Sequence, residues 1–434
     1  MRPSDNSALG AFLLLTMLFL GIEALGFGTA MMRLQLTTPI GDYRVVHVVL
    51  LIVLIVSFLD ARRVSSERQN PLFMPMLALY LLIGVRVFVD YVVVLLFQTY
   101  PLSELLGNAL GLFPYLYLLP MVFLMRRRQS AAYFVRGILL LGFVVGALVM
   151  YQYMMGAAFV ASKWVVYETG RIRMIQPGIH LTAWSGYTML AMSLGSRRGT
   201  LFLGLSASVL LAMFMLQLHR SALVALAVGT LLVFLSKMSR RRDAIMRMLV
   251  TALVLSSVAA GLVFGVKPLQ TALSLEIASI ADEVAYWTGS LAFRFLLVQN
   301  AWDHVVDRNV LLGRGFHWIP FQDFEVFRLT GVTLGPTSDS AVANILLVFG
   351  VPGLVIYAVV FSAVFLSGVR LLRRGLSVRW DAVVTGILAF NATAVILLWF
   401  SDPIMGSPDT WILVASWGLL WVALNLRRKG EIGG

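Results

Sequence analysis

The chain has 434 residues, 59% of them hydrophobic and 13% charged, with a net charge of +13 and no cysteine. Soluble globular domains run at about 45–50% apolar, so the composition excludes one and points to a multi-span membrane protein. Without cysteine there is no disulfide framework, thiolate metal site or cysteine nucleophile. In a membrane protein the placement of charge matters more than its sum, so the basic balance does not imply a nucleic-acid partner.

Apolar runs long enough to cross a bilayer begin near residues 9, 44, 71, 108, 131, 178, 199, 221, 246, 340, 381 and 410. They predict an all-α polytopic protein of about twelve transmembrane helices forming one integral membrane domain, residues 1–434. The first run, Ala8 to about Ala30, is too long for a signal-peptide core and lacks a small-residue cleavage site, so it reads as a span.

Basic residues follow every even-numbered run: Arg62, Arg63 and Arg68; Arg126, Arg127, Arg128 and Arg136; Arg197 and Arg198; Lys237, Arg240, Arg241, Arg242 and Arg247; Arg370, Arg373, Arg374 and Arg379; Arg427, Arg428 and Lys429. With Arg2 these are 22 of the 34 Lys and Arg, and the positive-inside bias puts them, and both termini, in the cytoplasm. Topology and anionic membrane lipids account for that majority. The remaining basic residues, all but Arg86, fall on or near the opposite side, as do His47, His180, His219, His304 and His317. Basic residues there oppose the insertion bias, and a cluster of them implies an anionic ligand.

The outward segment from Lys267 to Asp339, residues 267–339, lies between the ninth and tenth runs and is the largest polar stretch. Loops of such length are usually functional. Within it Ser290 to Val306 reads as a helix, with Phe293, Leu296, Leu297, Ala301 and Val305 at helical spacing, halted by Asp307-Arg308-Asn309. It is expected to lie on the bundle rather than to project from it. A second outward loop, about 156–177, carries Arg171 and Arg173.

Arg171, Arg173, Arg220, Arg294, Arg314 and Arg328 are far apart in sequence but on one side. Guanidinium groups bind phosphate oxygens bidentately, so their convergence would suit a diphosphate, while the bland reading is snorkelling to the interface. Arg220 lies in the short turn Gln217-Leu218-His219-Arg220-Ser221 between the seventh and eighth spans. Thr337-Ser338-Asp339-Ser340 enters the tenth span, where Asp339 is either a helix cap or a chemical group, and Gly350-Val351-Pro352-Gly353 permits a kink or a close approach. Arg86 and Asp90 lie four apart within the third span and can pair on one face. Asp323-Phe324-Glu325 has the look of an acidic metal motif but reads better as solvated carboxylates. Trp164, Tyr167, Trp184, Tyr187, Trp302, Trp318 and Trp411 fall outward, as an aromatic belt or as sugar-stacking surfaces.

Asp339-Ser340 followed by Gly350 and Gly353 is similar to the His-[Asn/Ser/Gln]-x9-Gly-x-x-[Gly/Thr/Tyr] pattern of the O-antigen ligase and O-antigen polymerase superfamily, with Asp in place of His. His219-Arg220-Ser221 resembles the family's Ser-Arg-Gly. Arg294 leads a helix as its counterpart does, and Asn309 to Phe316 resembles Pro-Leu-Leu-Gly-x-Gly-Phe. The order and spacing agree over roughly residues 210 to 370.

The resemblance implies a GT-C-like, metal-independent glycosyltransferase of the bacterial inner membrane, with no cofactor. It would take a glycan from an undecaprenyl-diphosphate carrier and pass it, on the periplasmic face, to an acceptor glycan or to lipid A core. Polysaccharide-assembly proteins are candidate partners. The resemblance implies catalytic roles for Arg220, Arg294 and Asp339, with Arg171, Arg173, Arg314, His219, His317 and Trp318 binding substrate. For the base that activates the acceptor the resemblance leaves three alternatives: Asp339, one of His317 and His219, or an Asp339 that only caps its helix in an inactive relative. Because the missing His is most characteristic of ligases, a polymerase is favoured over a ligase. A transporter or flippase also fits twelve spans, but the short link Gly195 to Thr200 and the large external segment count against it.

Overall fold

The computed structural model describes residues 5–22, 35–38, 41–59, 68–97, 105, 109, 111–155, 163–166, 172–175, 178–196, 200–215, 220–238, 290–306, 310–315, 340–399 and 408–433. The helices are α1 (Asp5–Ile22), α2 (Val45–Leu59), α3 (Phe73–Phe97), α4 (Phe113–Leu116), α5 (Leu118–Leu124), α6 (Arg128–Met155), α7 (His180–Gly195), α8 (Thr200–Met215), α9 (Arg220–Met238), α10 (Ser290–Val306), α11 (Ala341–Arg373), α12 (Val378–Leu397) and α13 (Pro408–Arg428). Eleven of the twelve apolar runs coincide with these helices, and the ninth, from about residue 246, lies outside the described residues.

Phe73–Phe97, Arg128–Tyr151, Ala341–Arg373, Val378–Leu397 and Asp409–Arg428 are long and apolar enough to cross a membrane. The apolar helices Ser7–Ile22, Phe113–Leu124, Thr200–Met215 and Ser221–Lys237 are shorter. A polytopic all-α membrane protein fits this architecture. Two expectations need correction. The fourth run is not one helix but two short pieces meeting at Tyr117, with Pro114 and Pro120 in them. Two segments between helices also form antiparallel ladders, β1 (Gln35–Thr38) with β2 (Gly41–Arg44) and β3 (Lys163–Val166) with β4 (Ile172–Ile175).

Helix α3 shows how the bundle meets lipid. Its exposed residues Met74, Leu77, Leu81, Val85 and Phe88 form an apolar stripe at helical spacing, while the buried face holds Met76, Leu79, Arg86, Asp90 and Val94. Apolar outside with charge inside suits a helix with lipid on one side and protein on the other.

Helix α7 is the opposite case, buried on every side from His180 to Ala191. Its hydroxyls all bond to backbone: Thr182 to the Ile179 carbonyl at 2.6 Å, Ser185 to Ile138 at 3.2 Å, Thr188 to Trp184 at 2.9 Å and Ser193 to Thr200 at 2.8 Å. Tyr187 donates or accepts with Thr393 at 2.9 Å, and the Trp184 ring stacks on Phe390 of α12 with centroids 5.8 Å apart. Polar groups bonded in this way, with small residues such as Gly142 and Gly386 against α7, let helices approach closely. Trp184, Tyr187 and Trp411 are therefore core residues, not the belt expected of them, because the helices carrying them leave no face at the interface.

Several of the basic segments meet at one end of the bundle. Arg427 donates to the Arg374 carbonyl at 2.8 Å, Lys429 to the Arg126 carbonyl at 3.3 Å, and Asn70 to Asn425 at 2.9 Å. The Arg128 amide donates to Glu431 at 3.3 Å, and Lys237 pairs with Asp381 close by, one turn into α12. Loops read as lying on one side thus converge. The starts of α7, α9, α11 and α13 lie at the opposite end, where the Val342 amide contacts the Leu398 carbonyl at 3.4 Å.

Candidate active site

Helix α10 lies against the first half of α11. Leu297, Ala301 and Val305 form a buried cluster with Ala343, Leu346 and Leu347, and Val298, Val351 and Leu354 pack on its edge. Arg294, Leu297, Ala301 and Val305 follow a spacing of three or four residues, so Arg294 continues the packing stripe on the face turned to the protein. It is 9% exposed. A charged group on that stripe is held among protein groups instead of lipid.

After α10 the chain makes a tight turn, Val310 to Gly315, that inserts beside α11. The Val351 amide donates to the Val310 carbonyl at 3.0 Å, and the Arg314 amide donates to the Leu347 carbonyl at 2.6 Å. These bonds are available because α11 is interrupted. Gly350 has φ 68° and ψ −162° inside an otherwise helical run, with Pro352 two residues later. Freed amides and carbonyls at such a break need partners, and the turn supplies them.

Two glycines make the approach possible. A Cβ on Gly313, at φ 62°, would lie 2.6 Å from the Gly350 nitrogen and 2.7 Å from the Leu347 carbonyl oxygen. Only backbone without a side chain fits on both sides of this contact. Gly350 lies nine residues past Ala341, about 14 Å along the helix. The turn's tip is apolar and exposed, Leu311 at 70%, as suits a segment dipping to membrane depth and satisfied by protein on its other side.

Beneath the turn sits the buried pair of α3. Arg86 Nε donates to Asp90 Oδ2 at 3.1 Å, a second guanidinium nitrogen pairs with the other carboxylate oxygen, and Arg86 Nη1 donates to the Leu312 carbonyl at 2.6 Å. Gly315 rests directly on the pair, leaving no room for a side chain. The spacing predicts that the two can pair on one face; the pairing is present, and it also carries the turn that bears Arg314. An intramembrane charge pair at helical spacing was the available signal, but nothing in the spacing names its loop partner. On the same helix an apolar groove of about 580 Å³ runs past Tyr80, Val87, Phe88 and Tyr91 to Leu112 and Phe113.

The cap of α11 is Ser340, whose hydroxyl accepts from the Ala343 amide at 3.5 Å. The capping role considered for Asp339 is thus filled by its neighbour. Arg220 is the first residue of α9. Since Lys237, in the last turn of that helix, pairs with Asp381 at the basic end, Arg220 lies at the opposite end, with the starts of α7, α11 and α13. Arg173 falls in β4. Arg171, His219, His317, Trp318 and Asp339, with Asp323, Glu325 and Arg328, lie outside the described residues.

One further pair at this end was missed. His180, the first residue of α7, faces Asp409 in the first turn of α13, with Nδ1 and Oδ1 2.6 Å apart. The imidazole also meets the Phe214 ring edge to face at 5.5 Å. Phe214 is six residues before Arg220. No local spacing could have joined His180 to Asp409; only their common placement at outward helix starts hinted at it.

A comparison with protein families matches residues 205–358 to the O-antigen ligase family. No curated protein matches the chain significantly. The match starts within α8 and ends past the Gly350 break, so it spans Arg220, Arg294, the 310–315 turn and the α11 kink. The turn and the kink, read as separate motifs, are one interlocked structure, and both lie within the stretch, residues 205–358, that is similar to the O-antigen ligase family.

Proposed function

We propose that this protein is a glycosyltransferase that moves a glycan from an undecaprenyl-diphosphate carrier to an acceptor glycan on the periplasmic face, most readily as a polysaccharide polymerase. The observation that carries the reading is the lock between the 310–315 turn and Gly350, which brings the backbone of the turn that bears Arg314 against α11. Arg294 lies on the packing face of the helix leading into that turn.

The chemistry follows from the leaving group. As an acceptor hydroxyl attacks the anomeric carbon, negative charge builds on the departing lipid diphosphate, and fixed guanidinium groups offset it without a metal. Arg220, Arg294 and Arg314 are assigned to that charge, with Arg171 and Arg173 as further candidates. The groove on α3 has the apolar lining an isoprenoid chain requires. The acceptor hydroxyl needs a base, a role open to Asp339 or a histidine at the same end. A ligase reading is favoured by the family's description, and a polymerase by Asp339 standing where the ligases carry His.

Arg220→Ala and Arg294→Ala test the reading. Each should lower transfer by about 10²–10³ while membrane expression stays normal, with Lys restoring part of the activity. Normal surface polysaccharide from both Ala variants would exclude the diphosphate site. Deletion of the gene separates the two acceptors: single repeats still attached indicate a polymerase, and loss of all attached glycan a ligase.

A further inference from the structure

The pair His180 and Asp409 plays no part in the arrangement described so far. It joins two helix starts at the end of the bundle that also holds Arg220, and its side chains are 9% and 20% exposed. A buried pair that only tied α7 to α13 would be served as well by two apolar side chains, which often match or exceed an ion pair in stability. Next to it the Thr410 hydroxyl is fully buried and has no hydrogen-bond partner among the described residues.

The orientation of the ring matters more. Nδ1 lies 2.6 Å from the Asp409 carboxylate, and in the tautomer that carries its proton on that nitrogen the lone pair is on Nε2. The ring also meets Phe214 edge to face. An imidazole set beside a carboxylate is the arrangement that general-base catalysis of a hydroxyl attack uses.

We infer that His180, positioned by Asp409, is the base that takes the proton of the acceptor hydroxyl. This rests on the glycosyl-transfer reading above and specifies its missing group. The acceptor oxygen forms a bond to the anomeric carbon as its O–H bond breaks, and the proton goes to His180 Nε2. The bond from that carbon to the diphosphate oxygen breaks, and its electron pair leaves with the lipid diphosphate. The imidazolium sits beside the Asp409 carboxylate until its proton passes to water. The substitution of Asp339 for the superfamily's His is then explained by relocation: the imidazole comes from α7, outside residues 205–358.

The test uses full-length protein in lipid nanodiscs with a synthetic undecaprenyl-diphosphate-linked repeat unit as donor and acceptor. His180→Gln should lower kcat by about 10²–10⁴ with the donor KM within about threefold of wild type and monodisperse protein. Asp409→Asn should give a smaller loss of kcat. Imidazole added to His180→Ala should restore part of the transfer, which a purely structural histidine would not allow. Wild-type kcat in His180→Gln overturns the proposal, as does a loss that imidazole does not repair. Should neither single variant remain monodisperse, the neutral double variant His180→Leu with Asp409→Leu decides: full transfer overturns the dyad, and folded but inactive protein upholds it. If wild-type protein neither binds nor transfers the donor, the transferase reading fails and the dyad with it. If wild type transfers and His180→Gln does too, only the dyad fails.

Discussion

Two buried ion pairs cross the middle and one end of this bundle, and they do different things. Lys237 and Asp381 come from different helices and tie α9 to α12 at the basic end. Arg86 and Asp90 come from one helix, four residues apart, and Arg86 also bonds to a loop carbonyl at Leu312. A pair between helices holds the bundle, whereas a pair within a helix can be spent on holding something mobile by nature, here a turn. The contrast separates assembly from site geometry.

Breaking each pair from one side gives the largest effects. Asp90→Asn leaves a buried guanidinium unbalanced and should cost about 3–5 kcal/mol, and it should also remove most transfer, because the 310–315 turn loses its floor. Asp381→Asn should cost a similar amount, but transfer per folded molecule, measured after size-exclusion purification, should stay within about threefold of wild type. Equal activity losses in the two variants would erase the distinction.

Gly313→Ala comes next. A non-glycine residue at positive φ costs about 1–2 kcal/mol from the backbone alone, and its Cβ would collide with the Gly350 backbone. Melting in detergent should fall, and transfer should fall further than Asp381→Asn lowers it. Unchanged transfer would show that the turn need not touch α11. Smallest is Ser340→Ala, which removes the cap of α11 and should cost about 1 kcal/mol in thermal stability. Asp339→Asn should leave stability unaltered, since Ser340 holds the cap. With His180 as base it should also retain most transfer, and its loss would point to Asp339 instead.

Most of the helices were legible because apolar runs of bilayer length leave few alternatives, and α10 was found at Ser290 to Val306 because its apolar positions keep helical spacing up to Asp307. The arrangement of the site was less so. Gly350 and Gly313 could each be seen as a break, but that one break fills the other depends on two backbone conformations coinciding in space. Arg86 and Asp90 could be paired from their spacing, while Leu312, 222 residues beyond Asp90, could not. Trp184 and Tyr187 were misjudged because depth along a span says nothing about which neighbours surround it. His180 and Asp409 fall in the same class: each looked like an ordinary helix start until the fold set them face to face.

The enclosure of α7 bears on how the chain is made. A segment carrying His180, Thr182, Ser185, Thr188 and Ser193 in sixteen residues gains little by entering lipid alone, since those hydroxyls and the imidazole would have to leave water with only their own helix to bond. Ser185 finds its acceptor on α6, and Ser193 finds one at Thr200, the first residue of α8. The expected outcome is that α7 enters the bilayer together with its neighbours: a nascent chain ending just after Gly195 should leave it outside the membrane until α8 has emerged to take it in.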